Sequence, residues 1–191
     1  MLYTRKGDDG TTKTLHCDQR LSKSSAIAEA LGAVDELNSL LGYCRAVIKG
    51  ETLPLWQGLA LETQQNLFIV QAELAGAKPR TQRGAGRGKP FTITEDKIEK
   101  MEEVIDEIEK KLPPIKTFFI AGGTEFGALF DYARTVARRA ERRVVKVREE
   151  NLIKLSDATL TYLNRLSSLL YALARLINHQ SGIKEQAPNY K

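Results

Sequence analysis

Residues 4–12 of this chain, TRKGDDGTT, have the composition of a loop that could hold a polyphosphate. Gly7 and Gly10 can take backbone angles that other residues resist. Successive N–H groups among Thr4, Asp8, Asp9, Thr11 and Thr12 could then turn toward one anion, with Arg5 and Lys6 adding positive charge. The stretch lacks the Gly-Lys-Ser/Thr ending of the common phosphate loop and the ligand spacing of a calcium loop, and a turn at a frayed terminus is the plainer reading of the same residues. A second stretch, residues 133–145 (ARTVARRAERRVV), sets Arg134, Arg138 and Arg142 at four-residue steps with Glu141 beside them. On a helix these arginines share a face, and planar guanidinium forks suit phosphate oxygens. The alternatives are a solvated, ion-paired face and a nucleic-acid surface, the second weakened by the lack of interleaved aromatic residues. A third stretch, GAVDELNS at 32–39, drops Asn38 into an apolar stripe and puts Asp35 at its border; Asn164 in YLNRLSS at 162–168 stands at the border of another. Buried amides need partners, which an interhelical hydrogen bond would supply; for Asp35 an arginine across a subunit interface is the alternative.

These segments need rigid elements, and the sequence supplies helices almost throughout. The chain has 191 residues, 42% apolar and 28% charged, enough for one globular domain. From residue 25 to about Ile48, the residues Ile27, Ala30, Leu31, Val34, Leu37, Leu41 and Cys44 fall on one stripe, with Ser24 or Ser25 as cap. Pro54 opens a second helix carrying Leu59, Leu67, Val70 and Leu74. Residues 79–90, PRTQRGAGRGKP, have no apolar anchor and read as a mobile loop. A third helix starts near Thr92 or Thr94, with Thr92 and Glu95 as a capping box, and ends before Pro113. Thr124 caps a fourth after the Gly122-Gly123 turn, and a fifth runs from about Ser156 to Gln180, closing at Gly182. Strand-like alternation is absent, so the expected fold is all-α, a five-helix antiparallel bundle. Its expected division is a single domain, 1–191, with an N-terminal loop (1–24), the bundle (25–182), the mobile loop (79–90) and a tail (183–191). Cys17, Cys44, His16 and His179 lack the spacing of a zinc site or a disulfide framework, no stretch suits a membrane span or a secretion signal, and a cytoplasmic location follows. The net charge of +5 favours an anionic partner without naming it.

The blocks TRKGDDGTT, VDELNS, the GGT turn at 122–124, ARTVARRAER and YLNRLSS occur in an order that resembles the PduO-type ATP:cob(I)alamin adenosyltransferases, from Tyr3 to about Asn178. The resemblance implies a homotrimer of five-helix bundles with an active site in each subunit interface. It implies that ATP is held by Thr4, Arg5, Lys6, Gly7, Asp8, Asp9, Gly10, Thr11, Thr12 and Lys23, by the run Arg138, Arg139, Ala140, Glu141 and Arg142, and by Asn164. Mg²⁺ would accompany the phosphates, with Glu141 as a candidate for its shell. Asp35 and Arg134 would pair between subunits, Arg138 would stabilise the leaving triphosphate, and Phe118 would occupy the lower face of the corrin. The implied reaction is transfer of the 5′-deoxyadenosyl group of ATP to Co(I) of reduced cobalamin, with a flavin-type reductase and a cobalamin-dependent acceptor enzyme as partners and with neither nucleic acid nor membrane. The alternative from another class is a helical nucleic-acid-binding or adaptor protein using the same arginines. Residues alone would make Phe118-Phe119-Ile120 an apolar plug at the end of the bundle. The chain departs from the family pattern at Ala121 (usually proline), Asp131 (often histidine), Ala137 (often cysteine) and Ser168 (aspartate), the last removing a carboxylate from beside Arg165.

Overall fold

The computed structural model describes residues 3, 5–14, 20–49, 53–77 and 91–191, so Thr4, His16, Cys17 and the 79–90 loop lie outside the described residues. The elements run β1 (Thr11–Lys13), β2 (Arg20–Ser22), α1 (Ala26–Val47), α2 (Pro54–Leu74), α3 (Glu95–Glu109), α4 (Glu125–Glu149) and α5 (Asp157–Gln180). Local chemistry sets most of the boundaries. Ser25 Oγ accepts from Ala28 N at 3.3 Å, Thr124 Oγ1 from Gly127 N at 3.0 Å and Ser156 Oγ from Thr159 N at 3.3 Å, each satisfying an N–H that the first helical turn leaves open. Pro54, with no N–H of its own, stands in the first turn of α2.

Two expectations need correction. The chain is not purely helical: β1 and β2 pair antiparallel, Thr12 opposite Leu21, inside the stretch expected to be loop. Strands of three residues are too short for alternation to mark them. The capping box on α3 also fails, because Thr94 is the N-cap and its side chain makes no capping bond. Burial of Ile98, Met101 and Ile108 anchors that helix instead.

In the core, α4 packs on α1 and α5, α2 on α1, and α3 on α5. Trp56 meets Phe130 edge to face at 4.8 Å between ring centres. Tyr162 is fully buried, and desolvation pushes its phenol up to about 12 although Asn66 Nδ2 donates to its oxygen at 3.2 Å. The buried Glu73, near the end of α2, accepts from Ser156 N at 2.6 Å and from the Thr159 hydroxyl, so one helix provides a carboxylate for the N-terminus of another. Among the described residues no helix is long and apolar enough to cross a membrane.

The turn before α4 is locked from α5. Asn178 Oδ1 accepts from Thr124 N and Oγ1, both at 2.9 Å, and its Nδ2 donates to the Gly122 carbonyl at 2.8 Å. Gly123 sits at φ 100°, and a Cβ on either Gly123 or Gly127 would overlap the Asn178 carboxamide. Gly127→Ala is therefore expected to lower stability by ~1–3 kcal/mol in urea denaturation, as overpacking does. Gly58→Ala, on an exposed part of α2 with open space around it, should instead raise stability by about 0.5–1 kcal/mol. A Gly127→Ala protein that melts with its parent would show that the lock is loose.

Candidate functional site

The N-terminal loop is a constructed turn. Thr11 Oγ1 and N donate to Asp9 Oδ1 at 2.7 and 3.0 Å, and these bonds hold the Asp9 carboxyl below the usual carboxylate range. Arg20 of β2 donates from Nε to Thr11 Oγ1 at 2.6 Å and from Nη2 to the carbonyls of Thr11, at 3.2 Å, and of Lys6. Lys23 Nζ donates to the Gly7 carbonyl at 2.7 Å. A Cβ on Gly7 would stand 3.1 Å from the Thr11 carbonyl oxygen and 3.3 Å from Lys23 Nζ, so these neighbours would have to give way slightly, and Gly10 takes φ 77°. Arg5, Lys6, Asp8, Asp9 and Gly10 are exposed and Gly7, Thr11 and Thr12 half-buried. Arg20 is the residue missed here. Its role depends on the hairpin that places β2 beside the loop, and the only signal was a basic residue where the chain returns toward Lys23.

The second group lies on α4 and α5. Asn164 Nδ2 donates to Glu141 Oε1 at 2.9 Å, and Asn164 Oδ1 accepts from Arg165 at 2.9 Å. Arg165 finds its carboxylate on α3, where Glu102 Oε1 lies 2.5 Å from its Nε. Asn164 is thus an exposed amide in a polar chain and not the core amide that its stripe position suggested. Asn38 is a core amide, 5% exposed, although its Oδ1 has no partner among the described residues.

The arginine run divides between two sides of α4. Arg139 pairs with Glu36 and Arg143 lies 3.5 Å from Glu29, so both tie α4 to α1. Ala140 is fully buried, a core residue whose side chain is closed to any ligand. Arg142 donates to the Arg138 carbonyl at 3.1 Å. Arg134 Nε lies 2.7 Å from Asp131 Oδ1, with its guanidinium 5.7 Å from the Tyr171 ring centre. The Arg138 guanidinium has no hydrogen-bond or ion-pair partner among the described residues. Asp35 is exposed on α1 and accepts from Gln71 at 3.4 Å; within one chain it makes no ion pair with Arg134.

Beside Arg138 opens a cavity of about 500 Å³, bounded by Phe118, Tyr171, Asp131, Arg134 and Ser168. Phe118 is 79% exposed and Ile120 is exposed as well, so the apolar-plug expectation fails for both. Phe119 is half-buried and carries an arginine over its ring. The cavity joins an apolar ring surface to a cationic rim. Hydroxyls of Thr117, Ser167, Ser168 and Tyr171 line it, and neither cysteine nor histidine is among the lining residues. Burial pushes the Cys44 thiol, away in the core, up to about 12, so it stays protonated. Among the described residues no group of three or more His, Cys, Asp or Glu is placed to hold a metal ion.

The chain is similar to known proteins over nearly its whole length. The cobalamin adenosyltransferase family profile matches residues 2–177. The corrinoid adenosyltransferase of Bacillus subtilis (strain 168) is 36% identical over 185 residues, 95% of this chain and 89% of that protein. The corrinoid adenosyltransferase PduO of Citrobacter freundii is 38% identical over 180 residues, 94% of this chain, and this chain spans only 50% of its length. Among solved structures, a phenylalanine-to-histidine variant of the PduO-type ATP:corrinoid adenosyltransferase from Lactobacillus reuteri, complexed with cobalamin and ATP, superposes with a TM-score of 0.85 at 30% identity, covering 100% of this chain and 97% of that one. An arginine-to-lysine variant of the same enzyme, complexed with ATP, gives a TM-score of 0.84 at 31% identity, covering 99% and 100%.

Proposed function

The chain belongs to the cobalamin adenosyltransferase family, and we infer that it transfers the 5′-deoxyadenosyl group of ATP to the Co(I) centre of reduced cobalamin. The observation that carries this reading is the juxtaposition on one cavity of the exposed Phe118 ring and the Arg138 guanidinium, which has no partner among the described residues. Co(I) supplies both electrons of the new cobalt–carbon bond. The C5′–O bond of ATP breaks, and its electron pair leaves on the triphosphate. No proton moves, which agrees with a cavity lined by no cysteine or histidine. The chain's task is positioning and charge: loop N–H groups between Arg5 and Thr12, Lys23 and Arg138 meet the phosphates, and Asn164 is oriented by Glu141. Mg²⁺ enters as the companion of the ATP phosphates, which bring the oxygen ligands that the described residues do not assemble.

The loop is bonded to β2 and Lys23, the cationic face to α3 and α5, so one chain offers two half-sites. A homotrimer of single-domain antiparallel bundles, with each site shared between neighbours, joins them. Arg134 gives Nε to Asp131 and keeps its remaining donors for Asp35 of a neighbour. Asp35→Arg or Arg134→Asp alone should weaken assembly, read by light scattering, and the double exchange should recover part of the loss. A lack of coupling, or a monomer at micromolar concentration, would remove the shared site. The reading also implies a cytoplasmic location, a flavin-type reductase that supplies Co(I) and a cobalamin-dependent enzyme that takes the product. A nucleic-acid surface on α4 is disfavoured because Arg134, Arg139 and Arg143 already face Asp131, Glu36 and Glu29.

The direct test is anaerobic: purified protein, MgATP and chemically reduced cobalamin, following the cob(I)alamin absorbance. Persistence of that signal would end the enzyme reading. Thermal stabilisation by ATP beyond that by triphosphate or DNA separates a nucleotide pocket from a general polyanion surface.

A further inference from the structure

Residues 113–121 carry Phe118, belong to no helix or strand and are mostly exposed. One guanidinium holds them to the bundle. Arg175 of α5 is 7% exposed. Its Nε donates to Glu185 Oε1, and its Nη2 donates to Glu185 Oε2 at 2.9 Å and to the Pro113 carbonyl at 2.8 Å. Its central carbon lies 5.6 Å from the Phe119 ring centre and 6.0 Å from that of Tyr171. A second tie runs alongside, from Ile120 N to the Gln186 carbonyl at 2.8 Å. The tail after Gly182, expected to be an appendage, therefore lies along the Phe118 segment. The two bound a cavity of about 230 Å³ that shares Phe119, Ala121, Asp131 and Tyr171 with the larger one.

A buried ion pair is weak evidence for stability, since apolar residues of similar volume often serve as well or better. What a forked pair provides is orientation, because two parallel N–H···O bonds fix the plane of the guanidinium and everything stacked on it. We propose that Arg175 and Glu185 are positioning residues of the corrinoid half of the site: they clamp the tail and the 113–121 segment together and so hold the Phe118 ring at the large cavity. The proposal rests on the adenosyltransferase reading. It separates the two substrates, since the clamp touches none of the groups assigned to ATP.

Glu185→Gln removes the charge at nearly constant shape, and Arg175→Lys keeps the charge without the fork; both are made in the full chain. In each, amide exchange across 113–121 should quicken and the KM for cob(I)alamin should rise, both by roughly tenfold, the scale of one lost charge-assisted hydrogen bond. The ATP-induced thermal shift and the protection of α1 and α4 should stay at parental values. Unchanged exchange in 113–121, faster exchange with an unchanged KM for cob(I)alamin, or parallel losses toward ATP and cob(I)alamin would each overturn the proposal. A parent protein that consumes no cob(I)alamin sinks the adenosyltransferase reading itself, while the exchange data still decide whether the clamp exists.

Discussion

Arg138→Ala will melt with its parent yet turn over ATP and cob(I)alamin more slowly by roughly tenfold to a hundredfold, the ~1.5–3 kcal/mol of one charge-assisted contact. Stability is expected to hold because the side chain is exposed and its guanidinium has no partner to lose among the described residues. That same lack of a partner leaves its whole guanidinium open to a ligand, whereas Arg134 and Arg139 are engaged by Asp131 and Glu36. Arg138→Lys should recover little, because an ammonium keeps the charge but cannot present two parallel donors to a phosphate. Kinetics in which both variants keep the parental ATP dependence would move the phosphate site onto Lys23 and the N-terminal loop.

The sequence made the helices legible because their signals are local. Ser25 and Thr124 cap as expected, Pro54 opens α2, α5 starts at the expected place after Ser156, and the stripes name the core, since each depends on residues within one or two turns. What escaped depends on partners far along the chain. Glu73 reaches Ser156 and Asn178 reaches Thr124, and no periodicity encodes either meeting. Arg20 acts on the loop only because a hairpin of three-residue strands turns back to it. The blocks that carry the family resemblance named residues for both halves of the candidate site, but they could not show that Arg139 faces α1. Helical angle alone put Arg134, Arg138 and Arg142 together; packing decided which of them a ligand could use.

Phe118→Ala should leave folding and ATP binding close to parental while impairing reaction that starts from cob(II)alamin by at least about tenfold more than reaction from pre-reduced cob(I)alamin, a difference of roughly 1.4 kcal/mol. The ring is 79% exposed and makes little of the core, so its loss opens no internal void. The ring borders the large cavity, and the proposed reading lays it against one face of the corrin, where it would keep an axial base from the cobalt. Without that donor the cobalt orbital that must accept the next electron falls in energy, and Co(II) becomes reducible by cellular reductants. Co(I), already reduced, needs no such help and should lose only the ring's share of corrinoid binding, read as a raised KM, so the two starting states should diverge in the variant. Phe119 is the comparison ring, since it is half-buried beneath Arg175 and packs the segment, although it too borders the large cavity. Phe119→Ala should lower stability, by up to ~3 kcal/mol for a ring only partly enclosed, without distinguishing the oxidation states. Equal losses from both cobalt states in Phe118→Ala, or the selective defect appearing in Phe119→Ala, would show that the other ring faces the corrin.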